Sequence, residues 1–106
     1  MKFTALNKKI HFENLREEKF CFTANNLKVF IKENNQELSR LGVTISSKFA
    51  NAVNRNRFKR RIKEAVRGIE TDTIVDILVI GNNESSNLTT IELKEIISSH
   101  PKLKSK

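Results

Sequence analysis

The feature that most constrains the fold is a basic segment, residues 48–67, whose apolar residues recur at helical spacing. From Phe58 they continue at i+4, i+7, i+8 and i+11, as Ile62, Ala65, Val66 and Ile69. This spacing places them on one face of an α-helix. A helix that packs on a core, and not a disordered basic tail, is therefore predicted over residues 51–68, with Gly68 as a left-handed C-cap.

Alternation and continuous apolar runs predict the strands. Residues 27–32 and 41–47 alternate apolar with polar side chains, and residues 73–80 are the most hydrophobic run. Thr89 and Glu92 have the spacing of a helix-capping box. The predicted order is α-β-β-β-α-β-α, with helices over 11–19 and 51–68, strands over 20–23, 27–32, 41–47 and 73–80, and a last helix from Thr89 that ends before Pro101.

Length and composition favour one α+β domain. The chain has 106 residues, of which 38% are hydrophobic, with three Gly and one Pro. We expect a single RNA-binding domain over residues 1–106, with residues 1–10 and 101–106 as frayed tails. No apolar run approaches the ~18 residues that span a bilayer. The single cysteine, Cys21, cannot form an internal disulfide, which predicts a reducing, intracellular compartment.

The charge distribution predicts a polyanionic partner. Of a net charge of +8, the segment 48–67 holds +7, so the rest of the chain is close to neutral. Nucleic acid is favoured over an anionic membrane because the apolar face of the basic helix is small and β-branched. On a helical wheel, one polar flank consists of Asn56, Lys59, Arg60, Lys63 and Arg67, while Arg57 and Arg61 lie on the other side and Arg55 lies on the apolar face.

Residue types that would support catalysis by the chain itself do not occur together in the sequence. His11 and His100 lie near opposite ends of the chain, without other metal ligands at suitable spacing. Cys21 lies between two phenylalanines, and Asp76 is an isolated carboxylate in an apolar strand, where a strand-end or capping role is expected. We therefore expect no catalytic residue, no metal site and no organic cofactor in this chain.

A pattern in the basic helix, the preceding strand and the first helix supports a family resemblance. The helix has Ala52-Val53-x-Arg55-Asn56-Arg57-x-Lys59-Arg60-x-x-x-Glu64, the strand has Leu41-Gly42-Val43-Thr44-Ile45-Ser46-x-Lys48, and the first helix has Phe12. Over roughly residues 11–99 the chain resembles the bacterial ribonuclease P protein subunit. It departs from the family pattern at Arg16, where a second aromatic residue is frequent, and at Ser47, Ala50 and Lys63.

The resemblance implies a fold and a function. The fold is a two-layer α-β sandwich with a four-stranded sheet and a left-handed β-α-β crossover through the basic helix, against the usual right-handed rule. The partners are a catalytic RNA, in a 1:1 complex, and precursor tRNA, whose 5′ leader is removed by the RNA and its Mg²⁺ ions. No obligate protein partner or membrane is implied, and the complex is expected in the bacterial cytoplasm.

The resemblance also implies two sets of contact residues. The expected contacts to the catalytic RNA are Arg55, Asn56, Arg57, Lys59, Arg60, Arg61, Lys63 and Arg67. The expected lining of a cleft for the single-stranded leader is Phe12, Lys28, Phe30, Thr44, Ser46 and Lys48. For Phe12 and Phe30, ordinary core packing is the alternative.

Two alternative functions remain open from the sequence. A ribosomal or RNA-chaperone-type protein would bind structured RNA broadly and would not affect precursor tRNA cleavage. A DNA-binding regulator with a basic recognition helix would need to dimerise, and the sequence contains no leucine heptad for that purpose.

Overall fold

The computed structural model describes residues 1–6, 8–45 and 51–103, and this part of the chain forms a mixed α+β fold. Single 3₁₀ turns at Glu18–Phe20 and Ser85–Asn87 connect some of its elements. The strands are β1 (Phe3–Ala5), β2 (Cys21–Ala24), β3 (Leu27–Glu33), β4 (Ser39–Ile45) and β5 (Val75–Gly81), and the helices are α1 (Lys9–Leu15), α2 (Ala52–Arg67) and α3 (Thr90–Ser98).

The strands form one five-stranded sheet in the order β1-β4-β5-β3-β2. Strand β4 is parallel to both β1 and β5, whereas β3 is antiparallel to β5 and β2. Because α2 joins the parallel neighbours β4 and β5, the predicted β-α-β crossover is present; its left-handedness stays a prediction.

The edge strand β1 corrects two expectations. Residues 1–10 were expected to be a frayed tail and the sheet to have four strands, but Phe3–Ala5 pairs with the first residues of β4, with Phe3 opposite Ser39. The backbone N–H of Leu6 then donates to the carbonyl of Leu41 at 2.9 Å. A pairing of three residues is too short to leave a periodic pattern in the sequence.

The main core lies between one face of the sheet and the helices α2 and α3. Side chains that alternate along the strands, such as Leu27, Val29 and Ile31, are fully buried there. The predicted apolar face of the basic helix is confirmed, because Phe58 and the four apolar residues that follow it at helical spacing are all buried in this core. This packing holds α2 in a fixed orientation, so its opposite side faces solvent.

The ends of α2 and α3 test the capping predictions. Asn51 caps α2 by accepting a hydrogen bond from the backbone N–H of Asn54 at 2.9 Å. The left-handed C-cap predicted at Gly68 is wrong: its φ of −79° is ordinary right-handed geometry, and its N–H bonds back to the last turn. The predicted capping box of Thr89 and Glu92 is confirmed at the start of α3.

The second face of the sheet is partly covered by α1, so the predicted two-layer arrangement gains a partial third layer. Leu15 of α1 packs in a small cluster with Leu6, Phe30 and Leu78. The helix begins and ends earlier than the predicted 11–19. Among the described residues, no helix is long and apolar enough to cross a membrane.

The segment after α3 is ordered as far as residue 103, which corrects the expectation of a frayed tail for residues 101–103. His100 is buried; its Nε2 lies 2.6 Å from the carbonyl oxygen of Phe20, and its Nδ1 accepts the backbone N–H of Lys102 at 3.0 Å. Leu103 packs against the main core. Residues 104–106 lie outside the described residues.

Candidate RNA interface

The solvent-facing side of α2 carries most of the residues predicted to contact RNA. We call the exposed residues Asn56, Arg57, Arg60, Lys63 and Arg67 the α2 basic surface. Lys59 is half-buried beside it. Around the first two turns, Val53, Asn56, Arg57 and Arg60 line a shallow depression of about 430 Å³. Since Phe58 and Ile62 fix the helix on the core, these cations are presented on a rigid element.

Three arginines of α2 contact other parts of the chain or are partly buried. Arg61 is half-buried, and its Nη1 donates to the carbonyls of Ser86 and Leu88, at 3.3 Å each, so it ties α2 to the loop before α3. The Arg67 guanidinium lies 5.4 Å from the centre of the Phe3 ring, within cation–π range. Arg55 is half-buried, which agrees with its predicted place on the apolar side of the first turn.

A groove between α1 and the sheet contains the described residues of the predicted leader cleft. It consists of two adjoining cavities, of about 420 Å³ and 260 Å³, which share Arg16 and Ile80. We call both together the α1 groove. The first cavity is lined by Lys9, Phe12, Glu13, Arg16, Val43, Thr44, Leu78 and Ile80, and the second by Arg16, Asn26, Lys28, Phe30, Ile80, Gly81 and Asn82.

The structure thus brings four of the six predicted cleft residues, Phe12, Lys28, Phe30 and Thr44, to one groove. The other two, Ser46 and Lys48, lie outside the described residues. The groove adds Arg16, which the sequence marked only as a departure from an aromatic residue in the family pattern.

The two phenylalanines of the groove differ in burial. Phe30 is 7% exposed and belongs to the small core cluster, so core packing accounts for most of its ring. Phe12 is half-buried against Gly42, where a Cβ atom would lie 2.6 Å from its Cε1. Glycine is therefore required for the close approach of α1 to β4. Phe12 is the aromatic side chain of the groove that a ligand could reach.

A largely buried ion pair beside the groove was missed from the sequence. Arg40 on β4 is opposite Asp76 on β5; its Nε lies 2.7 Å from Oδ1 and its Nη2 lies 2.6 Å from Oδ2. The hydrogen bond to Asp76 raises the pKa of Arg40 against the opposing effect of burial. The pair replaces the strand-end or capping role expected for Asp76. The sequence indicates this pair only by one positive and one negative residue, each of which is isolated in an apolar strand.

The described residues contain no group of three or more His, Cys, Asp or Glu side chains that could hold a metal ion. The two histidines are used in other contacts. His100 is held by Phe20 and Lys102, and a ring nitrogen of His11 lies 3.0 Å from Nη1 of Arg40.

Comparison with known proteins identifies the family. The family model named Ribonuclease P matches residues 1–102. The chain belongs to the ribonuclease P protein family. The ribonuclease P protein component of Borrelia garinii subsp. bavariensis is 36% identical over 98 residues, which are 88% of each chain. That of Staphylococcus haemolyticus is 39% identical over 67 residues, which are 62% of this chain and 59% of the relative.

Solved structures of family members have the same fold. The Staphylococcus aureus RNase P protein superposes with a TM-score of 0.76 at 26% identity, over 96% of this chain and 95% of that one. The Thermotoga maritima RNase P protein, at 24% identity and a TM-score of 0.72 over 90% and 92% of the two chains, shows the fold alone. As a family member, this chain is the protein subunit of ribonuclease P, a tRNA-processing ribonuclease that also contains an RNA subunit.

Proposed function

We propose that the α2 basic surface binds the catalytic RNA of ribonuclease P, and that the α1 groove binds the single-stranded 5′ leader of precursor tRNA. The observation that carries this proposal is the placement of the two surfaces on opposite sides of one sheet. The helix α2 packs on one face and α1 on the other. One subunit can therefore hold the RNA and the leader at once, while the RNA carries out cleavage.

The chemistry of α2 suits a structured RNA. Arginine guanidinium groups bind phosphates through two parallel hydrogen bonds, and a rigid helix fixes their spacing. Arg57, Arg60 and Lys63 project from α2 with Asn56, whose amide both donates and accepts hydrogen bonds. We assign Arg61 a supporting role, because its Nη1 already donates to two carbonyls of the chain.

The chemistry of the α1 groove suits a single strand. Binding that tolerates different sequences needs surfaces on which bases stack and cations that follow the backbone. Phe12 supplies an aromatic ring, and Arg16, at the junction of the two cavities, supplies a planar guanidinium that can stack on a base or pair with a phosphate. Lys28 adds a second cation, and Thr44 adds a hydroxyl group.

The remaining features of the proposed complex follow from the family. We propose a 1:1 complex with the RNA in the cytoplasm, without an obligate protein partner or an organic cofactor. Mg²⁺, which supplies charge stabilisation at the phosphate that is cut, is proposed to be held mainly by the RNA.

The salt dependence of RNA binding tests the role of α2. If about five phosphates are neutralised, the slope of log K against log salt should be steeper than about −3, and Arg60→Ala should reduce it by about one. Lys19→Ala, in the exposed turn before β2, is the matched control and should leave the slope unchanged. A nearly flat slope, or equal effects of the two variants, would show that α2 is not the interface.

Cleavage of precursor tRNA at low Mg²⁺ separates this proposal from a general RNA chaperone. Added to the cognate catalytic RNA, the chain should accelerate removal of the leader, and it should cleave nothing after nuclease treatment has removed any bound RNA. RNA binding without acceleration would favour the chaperone function, and cleavage by the RNA-free chain would contradict the proposal.

A further inference from the structure

The helix α1 forms one wall of the groove, yet it has little intrinsic stability. It has seven residues, its N-cap Lys8 makes no side-chain capping bond, and its first turn has no acidic residue. Helices this short are unstable in water unless tertiary contacts hold them. The position of Phe12 therefore depends on the contacts between α1 and the sheet.

Among the described residues, three contacts between α1 and the sheet differ in how well they fix the position of the helix. Leu15 packs in the small apolar cluster, and the Phe12 ring lies against Gly42. Apolar contacts of this kind are not directional and allow a helix to shift. The third contact is polar: Nη1 of Arg40 lies 3.0 Å from Nδ1 and 3.3 Å from Nε2 of His11. Of the three it is the polar contact, and it ties His11 of α1 to one guanidinium nitrogen of a β4 side chain.

The Arg40 guanidinium can act as a fixed donor because its other nitrogens are already paired. Nε and Nη2 bind the two oxygens of Asp76, and Oδ1 of Asp76 also accepts from Nδ2 of Asn34 at 2.7 Å. The side chains of Arg40 and Asp76 are 18% and 13% exposed. A largely buried two-point ion pair fixes the guanidinium plane, which leaves Nη1 aimed at His11. We call Arg40, Asp76, Asn34 and His11 the Arg40 network.

The Arg40 network is joined to the α1 groove through neighbouring residues of β4 and of α1. Alternate residues of β4 point to the same side of the sheet. Arg40 reaches His11, Gly42 meets Phe12, and Thr44 lines the larger cavity. On α1, His11 and Phe12 are adjacent in sequence. The distance from the sheet at which Arg40 holds His11 therefore determines the distance of Phe12 from the sheet.

We infer that the Arg40 network is a positioning device that sets the width of the α1 groove and thereby its affinity for a single-stranded leader. His11 and Arg40 are positioning residues, which act through Phe12. This inference rests on the proposed function of the groove.

Replacement of His11 tests the inference in the reconstituted RNA–protein complex. His11→Leu removes the acceptor and leaves the ion pair of Arg40 intact, so the fold should be retained. We expect its affinity for leader-bearing precursor tRNA to fall about twofold to tenfold, the range that one hydrogen bond of ordinary strength supplies. Affinity for mature tRNA and the cleavage rate at saturating precursor should be unchanged. His11→Gln, whose amide oxygen can accept from Arg40, should restore most of the affinity.

Hydrogen exchange is a second measurement of how firmly α1 is held. If the inference is correct, exchange of the α1 amides should be faster in His11→Leu and should return towards the wild-type rate in His11→Gln, with α2 unchanged in both. Ile10→Ala is the matched control, because Ile10 is on the same helix and 60% exposed. Wild-type affinity in His11→Leu, or equal losses in the Leu and Gln variants, would overturn the inference.

The variant Phe12→Ala separates failure of this inference from failure of the proposed function. If Phe12→Ala weakens binding of the leader while His11→Leu does not, the groove binds the leader and only the positioning role is wrong. If neither variant affects binding of the leader, the groove is not the leader site, and both proposals are overturned.

Discussion

At the scale of single residues, the contact between Gly42 and Phe12 leaves no space for a methyl group. A Cβ atom at position 42 would be 2.6 Å from Cε1 of Phe12 and 3.0 Å from the carbonyl oxygen of Leu6. The backbone oxygen is fixed by the sheet edge, whereas the ring can move. An added methyl group must therefore displace Phe12 away from the floor of the groove.

Gly42→Ala is accordingly expected to weaken binding of the leader more than it weakens the fold. A displaced ring should lose about 1 kcal/mol of stacking, or roughly a fivefold loss of affinity for leader-bearing precursor tRNA. Gly68→Ala is the control, because Gly68 has a negative φ and a Cβ there would first meet the flexible Lys94 side chain. Equal precursor affinity in both variants, measured by titration of the RNA–protein complex, would show that the ring position does not matter.

The residue scale is also where reasoning from the sequence was least complete. Arg40 and Asp76 are 36 positions apart, and only the register of β4 on β5 places them opposite one another. The burial of Phe30 likewise depends on Leu15 of α1, a contact that local alternation in β3 does not reveal. Contacts between elements depend on three-dimensional packing, whereas periodicity describes each element alone.

At the scale of elements, α2 combines a buried face and a basic face in one helix. Phe58 is fully buried, with its ring against Gly81, whereas the adjacent Arg57 is exposed. Phe58→Ala should lower the free energy of unfolding by about 3–5 kcal/mol through lost burial and a cavity. Denaturant titration measures this loss.

The neighbouring variant Arg57→Ala serves as the control for this prediction. It should change the free energy of unfolding by less than about 0.5 kcal/mol, as exposed substitutions usually do, and should weaken binding of the catalytic RNA. The reverse pattern, in which Arg57→Ala unfolds the protein and Phe58→Ala does not, would mean that the faces of α2 are exchanged.

The length of an element determined how well the sequence predicted it. Helix α2 has 16 residues, so its apolar positions repeat over several turns and its face and boundaries were predicted closely. The capping residues of α3 gave an equally specific local signal. Helix α1, with seven residues, was predicted with shifted ends, and β1, with three, was missed because its pairing with β4 is its only cause.

At the scale of the whole molecule, His100 joins the end of the chain to the start of the antiparallel strands. Its Nε2 donates to the carbonyl of Phe20, and its ring meets the Phe22 ring edge-on, with centroids 6.3 Å apart. Burial lowers the pKa of His100, more than the bond to Phe20 raises it, and Lys102 lowers it further. The folded state therefore holds His100 in its neutral form.

This burial predicts a loss of stability in mild acid. Below about pH 6.5, the ordinary pKa of histidine, the unfolded chain gains a proton that the folded chain resists, so the free energy of unfolding should fall as pH falls. His100→Gln keeps a donor for the Phe20 carbonyl without titrating, and its stability should depend less on pH between about 7 and 5. Identical pH profiles for the two proteins in urea titrations would exclude His100 as the cause.

The two faces of α2 also have a consequence for the lifetime of the subunit. The helix that contributes Phe58 and Ile62 to the core also carries the basic surface. If RNA binds that surface as proposed, it must dissociate before the helix can unfold. Thermodynamic linkage then adds about 2.7 kcal/mol to the free energy of unfolding when free RNA is at a hundredfold excess over its dissociation constant. Copies of the subunit made in surplus over the RNA lack this contribution, so proteases should degrade them first, and the supply of RNA would limit the amount of protein that persists.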